Sequence, residues 1–184
     1  IGSFVTIKNS LIGSYVHIKD GSKIGLKGFG FIPIKQKNLR TPQIGQVILE
    51  DGVEIGANCT IDRGSITDTV IGKNTFLDNQ VHVAHNVQIG KNCMIAGQVG
   101  FAGSTTIGDN VVIGGQAGIS GHLKIGNNVQ IVVRNCFPSN PCVLTYTFSS
   151  AVWNDPDVEI DLSLANQTIR TIAIDEITGL FTLE

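Results

Sequence analysis

Two short segments of the sequence carry most of its polar chemistry. One spans 78–86 and contains His82 and His85, and the other, 118–122, ends in His122. A neutral imidazole accepts a proton from an amine or a hydroxyl at physiological pH. A glycine lets a peptide N–H approach a developing oxyanion closely. These residue types favour transfer of an acyl group, as from a thioester, to a nucleophile that a histidine deprotonates.

The elements that would position these residues repeat every six positions. Aliphatic or aromatic residues occupy eleven consecutive positions six apart, from Ile71 to Ile131, and earlier fragments keep this spacing with a shifted phase. Small or branched residues follow four positions after most of them, so two residues per hexad face inward. This period is typical of a β-solenoid of short strands and turns. Ile-Gly recurs every eighteen residues from Ile71 to Ile125, which predicts three hexads per coil and a triangular cross-section.

Eighteen-residue coils would bring distant glycines and histidines onto one corner. His85 is eighteen residues before Gly103 and thirty-six before Gly121, the neighbour of His122. With strands stacked about 4.8 Å apart, His85 and His122 would lie about 10 Å apart with Gly103 between them. The alternative is that these histidines are solvated surface, which we expect of His82 unless the turn brings it to His85. Three imidazoles also suit zinc, but their spacing does not indicate a metal site, and we predict none.

Composition limits the classes of function. The 184 residues suffice for one domain, and only 15% are charged, with a net charge of −2, so no overall field would attract nucleic acid. The apolar runs are far shorter than the ~20 residues of a spanning helix, and we predict no transmembrane segment. The four cysteines form no CxxC pair or compact disulfide framework, which favours a reduced, intracellular setting. Cys59 and Cys93 fall in the small inward register and are expected to be buried.

The chain divides at about residue 131. Residues 1–131 hold the hexads, interrupted by an inserted loop at 25–48, and residues 132–184 contain one of the 22 glycines and no lysine. Alternating apolar residues at 158–164 and 172–174 predict short strands in this atypical C-terminal segment. The inserted loop is either a solvated loop or a surface for an anionic substrate or partner, because it carries Lys27, Lys35, Lys37 and Arg40.

An ordered set of motifs within the hexads resembles one known family. These motifs are rich in Gly, Asn and His at the expected corners: Gly28-Phe29-Gly30-Phe31, Gly56-Ala57-Asn58 with Ile61-Asp62-Arg63-Gly64, Asp78-Asn79 leading to Ala84-His85-Asn86-Val87, Gly103-Ser104, Gly114-Gly115-Gln116 and Gly121-His122. In this order they resemble the UDP-3-O-acylglucosamine N-acyltransferases of lipid A biosynthesis. The resemblance covers roughly residues 1–131. It implies an all-β, left-handed parallel β-helix, a handedness that periodicity alone does not give.

The resemblance also implies roles for individual residues. His85 matches the general base that deprotonates the 2-amino group of the glucosamine unit, and Asp78 would orient its imidazole. Gly103 matches the residue whose peptide N–H stabilises the tetrahedral oxyanion. His122 matches a second histidine near the phosphopantetheine arm of the acyl donor. Three further substrate-binding residues are implied, the first beside Asp78 and the others near the lipid-binding surface: Asn79, Phe29 and Phe31.

Partners and location follow from the same resemblance. It implies a cytoplasmic homotrimer of a Gram-negative bacterium, active near the inner membrane, with sites between subunits. The donor would be a 3-hydroxyacyl chain on acyl carrier protein, which the basic residues 35–40 would meet, and no bound cofactor or metal is implied. Relative to the family, we expect the chain to lack the N-terminal uridine-binding domain and the usual helical C-terminus. Other hypotheses are a related hexapeptide-repeat O-acyltransferase or acetyltransferase, an inactive solenoid scaffold, and a zinc hydratase on the same solenoid.

Overall fold

The computed structural model describes residues 1–132 and, beyond them, the backbone of several short strands. All the regular elements in these residues are β-strands. The described residues contain no helix that is long and apolar enough to cross a membrane. The strands beyond residue 132 are β21 (Thr145–Phe148), β22 (Ser163–Leu164), β23 (Gln167–Thr168), β24 (Ile172–Ile174) and β25 (Phe181–Leu183).

Three parallel sheets form the faces of a prism, and each coil contributes one strand to each sheet. Sheet A contains β1 (Thr6–Ile7), β4 (Lys23–Lys27), β9 (Thr60–Arg63), β12 (His82–Val83), β15 (Gly100–Phe101) and β18 (Gly118–Ile119). Sheet B contains β2 (Ser10–Ile12), β7 (Val47–Leu49), β10 (Thr69–Ile71), β13 (Gln88–Ile89), β16 (Thr106–Ile107) and β19 (Lys124–Ile125). Sheet C contains β3 (His17–Ile18), β8 (Glu54–Ile55), β11 (Phe76–Leu77), β14 (Met94–Ile95), β17 (Val112–Ile113) and β20 (Val129–Val132), and β21 extends it beyond the parallel strands.

Strand register confirms the eighteen-residue coil. Ile71 pairs with Ile89, and Ile89 pairs with Ile107, each in parallel alignment. The same offset relates Val83 to Phe101 in sheet A. The predicted fold class, a left-handed parallel β-helix of hexapeptide repeats with three hexads per coil, is confirmed.

The core is a column filled by the two inward registers of the hexads. Ile61, Val83, Phe101 and their equivalents in the other coils are almost fully buried. The smaller register supplies the residues between them, including both predicted buried cysteines, which are free thiols. Its buried hydroxyls bond to the backbone of the next coil: Thr75 Oγ1 donates to the Gly90 carbonyl at 2.7 Å, and Thr69 Oγ1 accepts the Asn86 peptide N–H at 2.9 Å. The hydroxyls of this register are therefore paired with backbone groups.

Each corner turns on one residue in the left-handed region of φ. Such residues recur every six positions from residue 74 onward, with φ between 54° and 65°. Asparagine tolerates this conformation better than most side chains do, and it occupies half of these positions. The residues are Asn74, Gln80, Asn86, Asn92, Gln98, Ser104, Asn110, Gln116, His122 and Asn128.

We name the corners after the sheets they join. In the coil of His85, the CA corner comprises residues 78–81, the AB corner 84–87 and the BC corner 90–93. Both interruptions of the repeat leave the helix at the AB corner. The first lies between β4 and β7, and the second, residues 64–68, lies between β9 and β10. They occupy the two coils immediately before the coil of His85.

The first insertion differs from the loop expected at 25–48. It contains an antiparallel hairpin of β5 (Phe31–Ile34) and β6 (Lys37–Arg40). Cross-strand pairing of Ile32 with Leu39 and of Phe31 with Arg40 holds the two strands together, since directly opposed side chains stabilise an antiparallel pair. The basic residues therefore lie largely on a hairpin.

The parallel coils end at β20, close to the predicted boundary at residue 131. β20 pairs with β21 in antiparallel direction, and β22–β23 and β24–β25 are antiparallel pairs. The prediction of a strand-rich tail is confirmed for these segments, including 172–174. The expected alternation over 158–162 lies outside the described residues.

Candidate active site

His85 lies in the AB corner, two residues after the inward-facing Val83 of β12, and its side chain is half-buried. A Cβ added to Gly103 would lie 2.7 Å from His85 Cε1 and 2.9 Å from Nε2. A Cβ added to Gly28 would lie 2.9 Å from His85 Cβ. The imidazole therefore sits between two backbones without side chains, one from the next coil and one from the first insertion. Any larger residue at Gly28 or Gly103 would displace the ring.

The orientation of the Asn86 amide is fixed by backbone groups on both sides. Its Oδ1 accepts the Ser65 peptide N–H at 3.2 Å and the Ser65 hydroxyl at 2.6 Å. Its Nδ2 donates to the Thr67 carbonyl at 2.9 Å and to the Thr67 hydroxyl at 2.6 Å. A peptide N–H can only donate and a carbonyl can only accept, so the amide oxygen and nitrogen cannot exchange places.

This fixed amide determines the tautomer of His85. His85 Nδ1 lies 2.8 Å from Asn86 Oδ1. Because Oδ1 is an acceptor only, Nδ1 carries a proton and donates it. In the neutral imidazole the lone pair is then on Nε2, the nitrogen nearest Gly103. The site therefore presents a base at Nε2.

The peptide N–H of Gly103 is the second chemical group of the site. At the BC corner the equivalent N–H groups are capped by the following coil, since Lys91 N donates to Asp109 Oδ1 at 2.9 Å and Asp109 N to Asn127 Oδ1 at 2.7 Å. The residue that would cap Gly103 is Gly121, which has no side chain. Among the described residues the Gly103 N–H has no acceptor. An unpaired N–H beside a base can stabilise a developing oxyanion.

A carboxylate lies on the other side of His85, in the preceding coil. The Asp62 side chain is only 14% exposed, and its Oδ2 is 4.0 Å from His82 Nε2. His82 also hydrogen-bonds through Nδ1 to Thr60 Oγ1 at 2.7 Å. Burial raises the pKa of Asp62, and the nearby His82 and His85 oppose that increase. The turn thus brings His82 and His85 to one carboxylate, although half of the His82 side chain is exposed.

Asp78 and Asn79 lie at a different corner from His85. They occupy the CA corner, where both are exposed and Asn79 Oδ1 accepts the Ala57 peptide N–H at 2.8 Å. Asp78 Oδ2 is 3.2 Å from the position of a Cβ on Gly97. Within one chain the structure therefore does not bring Asp78 to His85, whose hydrogen-bond partner is Asn86.

His122 and the phenylalanines surround the site at greater distance. The exposed His122 lies at the AB corner two coils beyond Asn86, and its peptide N–H donates to the Gly103 carbonyl at 3.1 Å. Phe29 follows Gly28 directly, is 84% exposed and packs edge-on against Phe31, with ring centroids 4.8 Å apart. The predicted apolar surface is thus next to the segment that contacts His85.

Several residues around His85 and Gly28 were not predicted to belong to the site. Asn86 follows His85 and Gly28 precedes Phe29, so the position of each beside a predicted site residue was a usable signal. The position of Asp62 beside the histidines depends on the pairing of β9 with β12, and the second insertion separates these two strands in the sequence. Gln43 gave no signal; it is buried, and its Oε1, without a partner in the described residues, is 3.2 Å from the position of a Cβ on Gly28.

Metal and cysteine chemistry receive no support from the geometry. In residues 1–132 and the described strands beyond, no three His, Cys, Asp or Glu side chains are placed to hold one metal ion. Burial raises the pKa of both the Cys59 and Cys93 thiols. A buried thiol with a raised pKa is a poor nucleophile.

The fold and the site together define a hexapeptide-repeat β-helix of the kind found in bacterial transferases. The family model "Bacterial transferase hexapeptide (six repeats)" matches residues 68–103, which include both His85 and Gly103. Two solved structures share the fold. UDP-N-acetylglucosamine O-acyltransferase of Moraxella catarrhalis aligns with TM-score 0.58 and 24% identity over 71% of this chain and 58% of that one. UDP-N-acetylglucosamine acyltransferase of Campylobacter jejuni aligns with TM-score 0.50 and 26% identity over 68% and 57%.

Similar sequences are more specific than the shared fold about the kind of transferase that the chain resembles. The chain is 52% identical over 86 residues to UDP-3-O-acylglucosamine N-acyltransferase of Methylorubrum populi, covering 47% of this chain and 24% of that protein. It is 53% identical over 88 residues to the enzyme of the same name from Rhizobium rhizogenes, covering 48% and 25%. The resemblance to these N-acyltransferases is thereby confirmed over about half of the chain. The matched part spans about a quarter of the length of these relatives.

Proposed function

We propose that the chain is the β-helix part of an N-acyltransferase that moves a 3-hydroxyacyl chain from acyl carrier protein to the 2-amino group of UDP-3-O-acylglucosamine. One observation carries the proposal: the Asn86 amide leaves a lone pair on His85 Nε2, beside an unpaired N–H of Gly103. A base and an oxyanion donor at one corner are what acyl transfer to an amine requires. The names of the sequence relatives supply the substrate class.

The reaction can be assigned to these groups atom by atom. The 2-amino nitrogen attacks the thioester carbonyl carbon, and His85 Nε2 takes a proton from that nitrogen as the C–N bond forms. The Gly103 N–H donates to the oxygen that becomes negative in the tetrahedral intermediate. The C–S bond then breaks, and the proton on Nε2 passes to the leaving sulfur. The products are the amide and the free thiol of the carrier, and no metal or bound cofactor takes part.

Partners are assigned on the same basis. The hairpin and its flanks carry Lys27, Lys35, Lys37 and Arg40, and no acidic residue occurs between Asp20 and Glu50. This charge suits acyl carrier protein as an acidic partner. His122 is assigned to the phosphopantetheine arm, Phe29 and Phe31 to the lipid part of the acceptor, and Asp78 and Asn79 to substrate contacts from the CA corner. We assign the working enzyme to a cytoplasmic homotrimer.

A second candidate is transfer to a hydroxyl group. The solved structures that share the fold include an enzyme named as an O-acyltransferase of UDP-N-acetylglucosamine. The same base and oxyanion donor would serve an alcohol nucleophile, because Nε2 accepts an O–H proton as well as an N–H proton. The acceptor therefore separates the two candidates.

The test measures acyl transfer from 3-hydroxyacyl carrier protein to two acceptors, UDP-3-O-acylglucosamine and UDP-N-acetylglucosamine. It uses this chain and the chain joined to the N-terminal domain of a relative. We expect amide product only, and a loss of about 10²–10⁴-fold in kcat for His85→Ala. His17→Ala is the matched control, since His17 is an exposed histidine on sheet C. Ester product would favour the second candidate, and turnover that survives His85→Ala would reject the mechanism.

A further inference from the structure

Asp62 approaches His85 through strand pairing. β9 pairs with β12 so that Ile61 lies opposite Val83. The next residue, Asp62, therefore lies beneath Ala84, one position before His85. The following residue faces elsewhere, because the Arg63 guanidinium donates to the carbonyls of Gly45 at 2.7 Å and Ile44 at 2.9 Å. Asp62 thus faces the two histidines without a neighbouring cation bound to it.

The surroundings of His85 contain few other charges. The first insertion contributes Gly28 at the ring, and the nearest cation of its hairpin, Arg40, donates to the Gly28 carbonyl at 3.1 Å. The second insertion contributes neutral hydroxyls and a carbonyl around Asn86. The next coil contributes Gly103 and the backbone of Ser104. From the preceding coil, the ionisable side chain facing His85 is Asp62, which it shares with His82.

We propose that Asp62 is a positioning residue that acts through His85: its carboxylate stabilises the imidazolium that forms when Nε2 takes the proton of the nucleophile. Asn86 fixes the tautomer but is neutral, so it cannot balance a positive charge. Asp62 supplies that charge from a largely buried position, where screening by water is weak. The second histidine, His82, also faces the Asp62 carboxylate. Thr60 holds His82 through its Nδ1, so that the Nε2 of His82 points towards Asp62. This inference rests on the proposed function.

The position of Asp62 favours a functional rather than a stabilising role. Among the described residues its side chain makes no hydrogen bond, and its closest ionic partner is 4.0 Å away. A buried carboxylate without donors destabilises a fold. Carboxylates kept in such surroundings occur frequently at reactive sites.

The first measurement follows Asp62→Asn in the full chain. In the transfer assay we expect kcat to fall about tenfold with KM unchanged, because the variant removes a charge that matters only after proton transfer. The acidic limb of the pH profile should move to lower pH. Asp62→Glu should recover part of the activity. Asp109→Asn is the matched control for carboxylate removal, because Asp109 lies at the BC corner and Asn127 makes the same backbone cap in the next coil. This control should leave the position of the acidic limb unchanged.

The second measurement does not need activity. NMR records the chemical shift of the His85 Cε1–H in the unmodified chain, in Asp62→Asn and in Asp109→Asn. We expect this signal to move in Asp62→Asn alone, because only that variant removes a carboxylate that faces the ring. An unmoved signal in that variant, or an equal shift in Asp109→Asn, would overturn the inference. If the signal moves but no protein transfers an acyl group, the electrostatic link stands and the proposed function fails.

Thermal stability gives a third readout with a defined sign. Burial raises the pKa of Asp62 above its ordinary value of 3.8, so the folded state binds the proton more tightly than the unfolded state does. The ionised carboxylate therefore costs stability as the pH rises from 3.8 through the folded pKa, and the full cost persists above it. We expect Asp62→Asn to raise Tm at pH 7 and the gain to vanish below pH 3.8. A lower Tm at pH 7 would show that Asp62 is a structural residue instead.

Discussion

The AB and BC corners have the same backbone but use their side chains differently. At the BC corner, Asp109 and Asn127 cap the peptide N–H of the preceding coil. The Asn92, Asn110 and Asn128 amides also bond to one another from coil to coil. Side chains at this corner therefore tie neighbouring coils together.

At the AB corner the same positions hold residues that leave groups free. Gly103 and Gly121 occupy the capping positions, so no side chain reaches the N–H groups of His85 and Gly103. Asn86 stands where the BC corner has its amide ladder, but its amide bonds to residues 65–67 and to His85 instead. Free donors and a fixed imidazole thus replace contacts that would have stabilised the helix.

The largest effect is expected when a side chain is introduced at Gly103, as at the equivalent positions of the BC corner. In Gly103→Ala the new Cβ would be 2.7 Å from His85 Cε1, so the ring must move, and we expect kcat to fall at least about 100-fold. Gly100→Ala is the matched control for folding, because a Cβ there meets nothing within 4 Å. Circular dichroism and Tm should match the unmodified chain for Gly100→Ala. Full activity of Gly103→Ala would reject the assigned geometry.

A smaller effect should follow from removing the Asn86 amide. Asn86→Ala removes the acceptor that holds His85 Nδ1 and both ties to residues 65–67, and we expect kcat to fall about ten- to 100-fold. Asn86→Asp keeps an acceptor for Nδ1 but loses the donor to Thr67, so its activity should lie between that of Asn86→Ala and that of the unmodified chain. Steady-state kinetics check the order. Equal activities for both variants would show that the Nδ1 contact is unimportant.

Substitutions among the stacked amides of the BC corner, Asn92, Asn110 and Asn128, should lower stability without lowering activity. Asn110→Ala removes two side-chain contacts and puts alanine, which tolerates the left-handed region less well than asparagine, at φ 58°. We expect the free energy of unfolding to fall by about 1–2 kcal/mol. Asn110→Gly removes the same contacts while relieving the backbone cost, so it should be less destabilising. Denaturant unfolding measures both variants, with acyl transfer unchanged. A loss of activity would mean that the BC corner also takes part in function.

Residue spacing predicted the core because burial alone determines it. The inward positions from Ile71 to Ile131 need only an apolar side chain, and a fixed period of six reports that need directly. The same arithmetic placed Gly103 beside His85, because no insertion interrupts residues 69–132. The column of left-handed corner residues was not predicted, although Asn and Gln recur at those positions.

The parts of the site that cross the insertions could not be obtained from spacing. Asp62 and Gly28 reach His85 only after excursions whose lengths break the eighteen-residue count, so their neighbours depend on strand pairing that the repeat does not encode. Asp78 was expected beside His85 from resemblance, but three hexads per coil place it at another corner of the same chain. The hairpin was missed as well, although Ile32 and Ile34 stand two residues apart and Leu39 follows across a short turn, a pattern that favours paired strands.

Both insertions leave the helix at the AB corner, and this arrangement separates the core of the coils from the loops, whose lengths can vary. Each coil contacts only the coils before and after it, so a lengthened or shortened excursion alters no inward residue. A change in either insertion therefore acts on the imidazole and not on the core, because Gly28 and residues 65–67 belong to the insertions. A helix built this way confines a change of reactivity to one loop, while the inward residues that stabilise the fold stay the same.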